Sequence, residues 1–446
     1  MDTSHEIGEA VPGDALRETG VTIREAGPDD AVAGVRPRWV ALPETSGEVA
    51  ALMRVSAEHD LAVVPVGDGT KLGWAGPPER CDLLVDTCCL TLDGGTVVEH
   101  SSGDLVAKVS AGLPVDVLSS TLARSEQELA LDNPLPAGTV GGTLATAIAG
   151  PRRFRYGTAR DLLIGITVVL ADGTIARSGG RVVKNVAGYD LGKLFCGSYG
   201  TLGIITEATF RLHPVPADRR WVVAELPAFE VRAAESTNGA GAPAFPGRPG
   251  PPGGLDALVA ELAASQAEPS AIEADWPDGP DALGGPTLAV LVEGTAAEAR
   301  ARAVQALIGR RGAARVTGEP PGWWGTLPGE DVLLEVRIPP ARLGGALRAI
   351  AAGELPVRMR GSAASGVLRI ALAPDVGERA FAGFVSRVRD RLGHLGGRLI
   401  VVTAPRELAG GVDRWGPAGA LPLMRRIKER FDPGRRMSPG RFIGGI

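Results

Sequence analysis

The sequence predicts an α+β protein built from at least two domains. Three observations carry this: 446 residues are more than one ordinary core organises, short β-branched runs alternate with amphipathic helical stretches, and composition changes sharply near residue 236. Gly 62 and Pro 35 make up about a fifth of the chain and imply many turns, while 44% hydrophobic residues exclude wholesale disorder. A net charge of −5 argues against a nucleic-acid partner. No apolar run reaches the ~18 residues of a spanning helix, and the opening MDTSHEIGEA is polar. Direct membrane insertion and a cleaved signal are therefore not expected. Four cysteines without metal-type spacing suit a reducing, cytoplasmic setting.

Taken in order, residues 1–34 lack apolar periodicity and read as a loose leader. A helix is expected near Thr45 to Asp60, capped by Thr45 with Glu48 returning the capping-box bond, and Val49, Leu52, Met53 and Ala57 form its apolar stripe. LAVVPVG and DLLVD read as strands around a glycine-rich turn region. LVAKVSAG, a helix near Pro114 to Leu122, ITVVLADGT and ITEATFRL continue the α+β series to 217. The stretch 236–254 is Gly/Pro-rich and reads as a flexible linker. Beyond it, LAVLVEG, LLEVRIP, VLRIALA and GRLIVVTA alternate with helices near 295–310, 340–352 and 376–392. That order suits a small antiparallel, ferredoxin-like layer. A last helix is stopped at Asp432-Pro433-Gly434.

Three glycine clusters carry the chemistry. Pro65-Val66-Gly67-Asp68-Gly69-Thr70-Lys71-Leu72 follows a strand and lacks both Walker and Rossmann spacing; it admits a plain loop or an anion nest. Pro136 to Thr143, with Thr139, Val140, Gly141 and Gly142, opens a small-residue helix and suits either close packing or a pyrophosphate. Gly197, Gly200, Thr201, Gly203, Ile204 and Ile205 form bends before a strand, an ordinary turn or a shelf for a planar ring. Three such loops within 140 residues of chain fit an extended dinucleotide better than any one of them alone.

The strings PVGDGTKL, AGTVGGTLATAIAGPRRFRYG, VVKNVAGYDLGKL and GSYGTLGIITE resemble the FAD-binding domain of the vanillyl-alcohol oxidase, or PCMH-type, superfamily. GPRR, GGRVVKNVAGYD and the terminal RRIKERFDPGRRMSPGRFIGG most resemble the smaller FAD-binding subunit of bacterial glycolate oxidase. The resemblance implies a two-subdomain FAD-binding domain over 35–217, a cap domain over 218–414 and a segment 415–446 returning to the first domain. It implies that Val66 to Leu72 cradle the FAD pyrophosphate, with Pro136, Thr139, Gly141 and Gly142 on the other side. Gly197, Gly200, Thr201, Gly203 and Ile205 would meet the ribityl and ring, and Gly150 and Gly157 would let a loop approach it. Covalently flavinylated relatives carry histidine where Thr70 falls, which implies noncovalent FAD. It further implies a small 2-hydroxy acid substrate, a larger FAD-binding subunit and an iron–sulfur subunit as partners, and peripheral membrane association only through those partners.

One departure concerns metal. Hydroxy-acid-oxidising relatives carry a histidine-rich loop in the second domain, whereas Val357 to Arg369 has no histidine here. The five histidines (His5, His59, His100, His213, His394) form no ligand pair, so no protein-bound metal is expected. A carboxylate clamp has candidates in Arg152, Arg153, Arg155 and Arg160, for which a solvated or salt-bridged loop is the plainer reading. Lys184 and Tyr189 either face the ring or hold their block in place. No catalytic base is identifiable, and the basic run Arg425 to Arg441 reads as a solvated helix face.

Overall fold

The computed structural model describes residues 12–180, 190–227, 254–280 and 285–446. Lys184, Tyr189, the leader up to residue 11 and all but the last residue of the 236–254 linker lie outside them. The first lobe begins with a four-stranded sheet in the order Thr22–Glu25, Trp39–Leu42, Leu83–Asp86, Val63–Val66. Its first pair is antiparallel and the rest parallel. Helix Ser46–Glu58 is the crossover that parallel pairing requires. Thr45 Oγ1 accepts from Glu48 N–H at 3.1 Å, but Glu48 returns to Glu44 N–H (2.8 Å) rather than to Thr45. Val49, Leu52 and Met53 are fully buried beneath the sheet. The expected leader needs correction: from residue 12 it folds, because helix Pro12–Glu18 buries Leu16 and Thr22–Glu25 pairs in register with Trp39–Leu42.

A five-stranded antiparallel sheet follows, ordered Val98–Ser101, Val106–Ser110, Ile204–Arg211, Leu163–Val169, Ile175–Gly179. Helices Val115–Ala123 and Val140–Thr146 add Leu118, Leu122 and Leu144 to its core. The long strand Ile204–Arg211 sits at the centre of this sheet, buried at seven of its eight positions. The bend before it is thereby fixed beside the C-terminal end of Val63–Val66.

The second lobe is larger than the small layer expected. One eight-stranded antiparallel sheet runs Ala314–Thr317, Arg219–Glu225, Thr287–Glu293, Ala271–Trp276, Arg358–Ser362, Val367–Leu372, Val332–Arg337, Arg398–Thr403. Each half is a βαββαβ unit of ferredoxin-like order, and the halves join edge to edge through Ala271–Trp276 and Arg358–Ser362. Four helices (Leu255–Ala263, Ala297–Ile308, Leu343–Ala351, Glu378–Gly393) bury one face. The period of two sends Leu334 and Val336 to those helices and leaves Glu335 and Arg337 for the face toward the first lobe. Trp74, Leu135, Ile148, Leu333 and Val402 form an apolar contact at that seam.

Helix Leu421–Phe431 returns to the first lobe, with Phe431 edge-on to Phe195 at 5.7 Å. The basic run is not wholly solvated: Lys428 and Arg441 are only 3% and 4% exposed. Lys428 Nζ donates to Thr201 O (2.8 Å), Met437 O (2.8 Å) and Asp432 Oδ2 (2.7 Å). Asp432 also accepts from the N–H groups of Arg436 and Met437, which ties the helix end to the third glycine bend. No helix among the described residues is long and apolar enough to cross a membrane. Asp432→Ala strands a buried ammonium and is expected to destabilise the protein by about 3–5 kcal/mol. A thermal melt checks this, and a change below about 1 kcal/mol would show that the lock contributes little.

Candidate functional site

The parallel strand Val63–Val66 ends in the first glycine cluster, at the carboxyl edge where α/β sheets place ligands. Pro65 to Leu72 line one wall of a cleft, with Thr139, Gly142, Tyr199 and Gly200 opposite. The loops approach so closely that a Cβ on Gly67 would collide with the Thr139 side chain. Thr139 caps helix Val140–Thr146, its Oγ1 accepting from Gly142 N–H at 3.2 Å, and its hydroxyl proton remains to be donated. The cleft continues past Gly141, Gly203, Ile205 and Thr87 at one end. At the other, through Thr146 and Tyr199, it opens into a cavity of about 580 Å³ between the lobes. A single trough thus joins all three glycine clusters.

Its electrostatics point to an anion. Lys71 is only 8% exposed, and among the described residues its ammonium has one hydrogen bond, to Thr70 Oγ1 at 3.0 Å. Burial lowers it to about 8, partly countered by Asp68. Such a cation is costly to bury unless a negative group comes to it. A pyrophosphate supplies that charge, so the cradle fits FAD: Lys71, Thr139 and the loop amides would hold the phosphates.

The structure separates the other sequence-predicted residues. Gly197 and Thr201 line the interdomain cavity beside Arg153. Val140 and Ile204 are core residues, 2% and 0% exposed, and do not line the trough. Pro136 is exposed outside it. A Cβ at Gly150 or Gly157 would press on Asp132 or Asp161 at 2.6 Å, so packing within the protein by itself restricts these positions to glycine. Arg152 belongs to a structural network, bound to Glu128 and Asp132 at 2.8 Å each. Arg155 is exposed and reaches Glu268 O.

Residues that sequence reading passed over gather at the seam. Arg337 and Arg398 stand directly opposite in the antiparallel ladder, an unfavourable like-charge pair. Both line the cavity with Arg153, and no Asp or Glu is among the described residues lining it. Glu335 accepts from Arg337 Nε at 2.6 Å and lies 3.5 Å from Arg369 Nε. Burial opposes its charge, but Arg337 and Arg369, with Arg153 behind them, hold its carboxyl below the usual range. Glu273 is 6% exposed with Oε1 unpartnered, and burial pushes it up to about 8. Their signal was the polar residue at alternate positions of strands such as VLLEVR. Among the described residues no cluster of three or more His, Cys, Asp or Glu side chains is arranged to hold a metal.

Comparison with known proteins agrees with this geometry. Residues 37–179 match the FAD binding domain family. The chain is 36% identical over 205 residues to the mitochondrial D-lactate dehydrogenase [cytochrome] 1 of Saccharomyces cerevisiae, covering 46% of this chain and 34% of that protein. It is 35% identical over 193 residues to glycolate oxidase subunit GlcD of Bacillus subtilis (42% and 39%), and 33% identical over 198 residues to D-2-hydroxyglutarate dehydrogenase of Xanthomonas citri pv. viticola (44% and 41%). The matches therefore span less than half the length of these curated relatives. In fold the chain is similar to chitooligosaccharide oxidase, with TM-score 0.65 and 16% identity over 95% of this chain and 97% of that one. An alkyldihydroxyacetonephosphate synthase gives 0.64 and 18%, over 91% and 78%.

Two predictions follow from the charge balance of the cleft. Since a bound phosphate favours the charged ammonium, FAD affinity should fall as pH rises above about 8, by up to about tenfold per unit. Lys71→Met should bind weakly at every pH; flavin fluorescence titration checks both, and a parallel pH slope in the variant would remove Lys71 from the account. A Cβ at Gly69 (φ +72°) would make only ordinary contact with Leu72 Cδ1 at 3.9 Å, and aspartate there costs about 1 kcal/mol, yet the carboxylate of Gly69→Asp should abolish FAD retention. Folded, yellow Gly69→Asp protein would contradict the placement of the phosphates.

Proposed function

We propose that this chain, whose residues 37–179 match the FAD binding domain family, is an FAD-dependent oxidoreductase of the vanillyl-alcohol oxidase (PCMH-type) kind acting on the CH–OH group of a small 2-hydroxy acid. Bound FAD supplies a two-electron acceptor for the hydride of the substrate carbon. The flavin is held noncovalently, because Thr70 offers no imidazole nitrogen for attachment. One observation carries the substrate class: Arg153, Arg337 and the facing Arg398 converge on a cavity lined by no described acidic residue. Below about pH 8 Glu273 holds its proton, so among these described groups Glu335 alone opposes Arg153, Arg337, Arg369 and Arg398. Three positive charges are left over. A substrate carboxylate matches that excess, and Arg153, which has no ion pair of its own among the described residues, is its proposed partner.

The likeness to a glycolate oxidase subunit supports a place for the chain in a multisubunit oxidase, and a larger FAD-binding subunit and an iron–sulfur subunit are its proposed partners there, in the cytoplasm. A second reading, an electron-transferring subunit without substrate turnover of its own, is favoured by the hairpin Arg358–Leu372, which carries no histidine. Anaerobic mixing with glycolate and with D-lactate separates the two. Bleaching of the flavin band by the purified chain supports autonomous catalysis; bleaching only with partners supports the subunit role; bleaching by neither acid in either setting overturns the substrate class. Arg153→Met is expected to raise KM for the acid by about 100-fold with flavin content unchanged. An unaltered KM would remove Arg153 as the clamp.

A further inference from the structure

Beyond the matched domain, the C-terminal tail carries two buried polar atoms at or beside the cofactor cleft, Arg441 Nε and Ser438 Oγ, that no described residue hydrogen-bonds. Arg436 to Ser438 run beside Val63 as an added parallel edge: Val63 N–H donates to Arg436 O and Ser438 N–H to Val63 O, both at 2.8 Å. That strand leads straight into the phosphate loop. Glu79 N–H then donates to Pro439 O at 2.8 Å, the chain turns at Gly440, and Arg441 reaches back over the loop. Its Nη2 donates to the carbonyls of Leu72 and Trp74, each at 2.7 Å.

Arg441 lines the cleft of Pro65 to Leu72 and is 4% exposed, its Nε unpartnered and no carboxylate within ion-pair distance among the described residues. Ser438 is fully buried against Gly200, and its Oγ is likewise unpartnered. Two neutral carbonyls offset only part of the cost of a buried guanidinium. Together with Lys71, Arg441 gives the cleft two buried cations with no ion pair among the described residues, which matches the two negative charges of a pyrophosphate.

We propose that Arg441 is a cofactor-binding residue, and that docking of the tail 432–446 and occupancy of the cleft by FAD are thermodynamically coupled. This rests on the FAD reading of the cleft. Coupling is reciprocal: a ligand favoured by the docked tail must hold the tail down by the same factor.

The test uses the full chain freed of flavin. FAD is titrated by fluorescence quenching, and tryptic cleavage at the exposed Arg435 is timed with and without FAD. Wild type should bind FAD, and FAD should slow cleavage at least about tenfold. Arg441→Met should weaken FAD about tenfold or more and lose that protection, while Arg441→Lys keeps part of both. Where Arg441→Met does not fold, Arg441→Lys and Ser438→Ala carry the comparison, with a smaller FAD-induced rise in Tm than wild type expected for each. Wild-type FAD affinity and protection in these variants would overturn the proposal while leaving the cleft as the FAD site. Folded wild-type protein that refuses FAD would overturn the FAD reading and this inference together.

Discussion

A cation buried without a counter-ion is the constraint on which the rest of this structure depends. Lys71 and Arg441 are both more than nine-tenths withdrawn from water, and neither has a carboxylate partner among the described residues. A fold does not hold such groups unless something negative arrives to meet them. The glycine loops bring consecutive backbone amides to the same place, because Gly67 and Thr139 touch and Gly200 lies against Pro65. Charge and geometry therefore agree on one ligand, an extended dinucleotide laid across the edge of the parallel strands.

The same logic repeats at the seam between the lobes with a different answer. Arg337 and Arg398 face each other across a ladder where like charges repel, and Arg153 approaches from the other lobe. Around Arg152, Glu128 and Asp132 neutralise the guanidinium directly, whereas at the seam Glu335 pairs with Arg337 and leaves Arg153 and Arg398 without an ion pair among the described residues. The contrast between adjacent arginines, one paired and one not, is what the proposed carboxylate clamp rests on.

The glycine clusters were legible in the sequence because their requirement is local: a strand, a tight bend, then a helix or strand. What depends on distant contacts was not. Gly150 and Gly157 look like ring-approach positions in sequence, yet Asp132 and Asp161 set their size limit. The strand TIRE is short and mostly polar, so its pairing with Trp39–Leu42 left no apolar signature and the segment read as a leader. The cap was half read. Its second βαββαβ unit announced itself by alternation, while the first is interrupted by a long Gly/Pro-rich stretch that hides the relation between Arg219–Glu225 and Ala271–Trp276. Arg441 could not be found from pattern at all, since Leu72 and Arg441 are 369 positions apart.

The most direct measurement compares flavins that share the ring and differ in the portion that carries the phosphates. Flavin-free protein titrated with FAD and with riboflavin, which keeps the ring and lacks the phosphates and adenosine, separates ring recognition from phosphate recognition. The account predicts one FAD per chain and riboflavin weaker by about 100-fold or more, since each buried charge-assisted contact is worth roughly 1.5–3 kcal/mol. Equal affinity for the two would contradict it, because the cations of the cleft would then have no part in holding the cofactor.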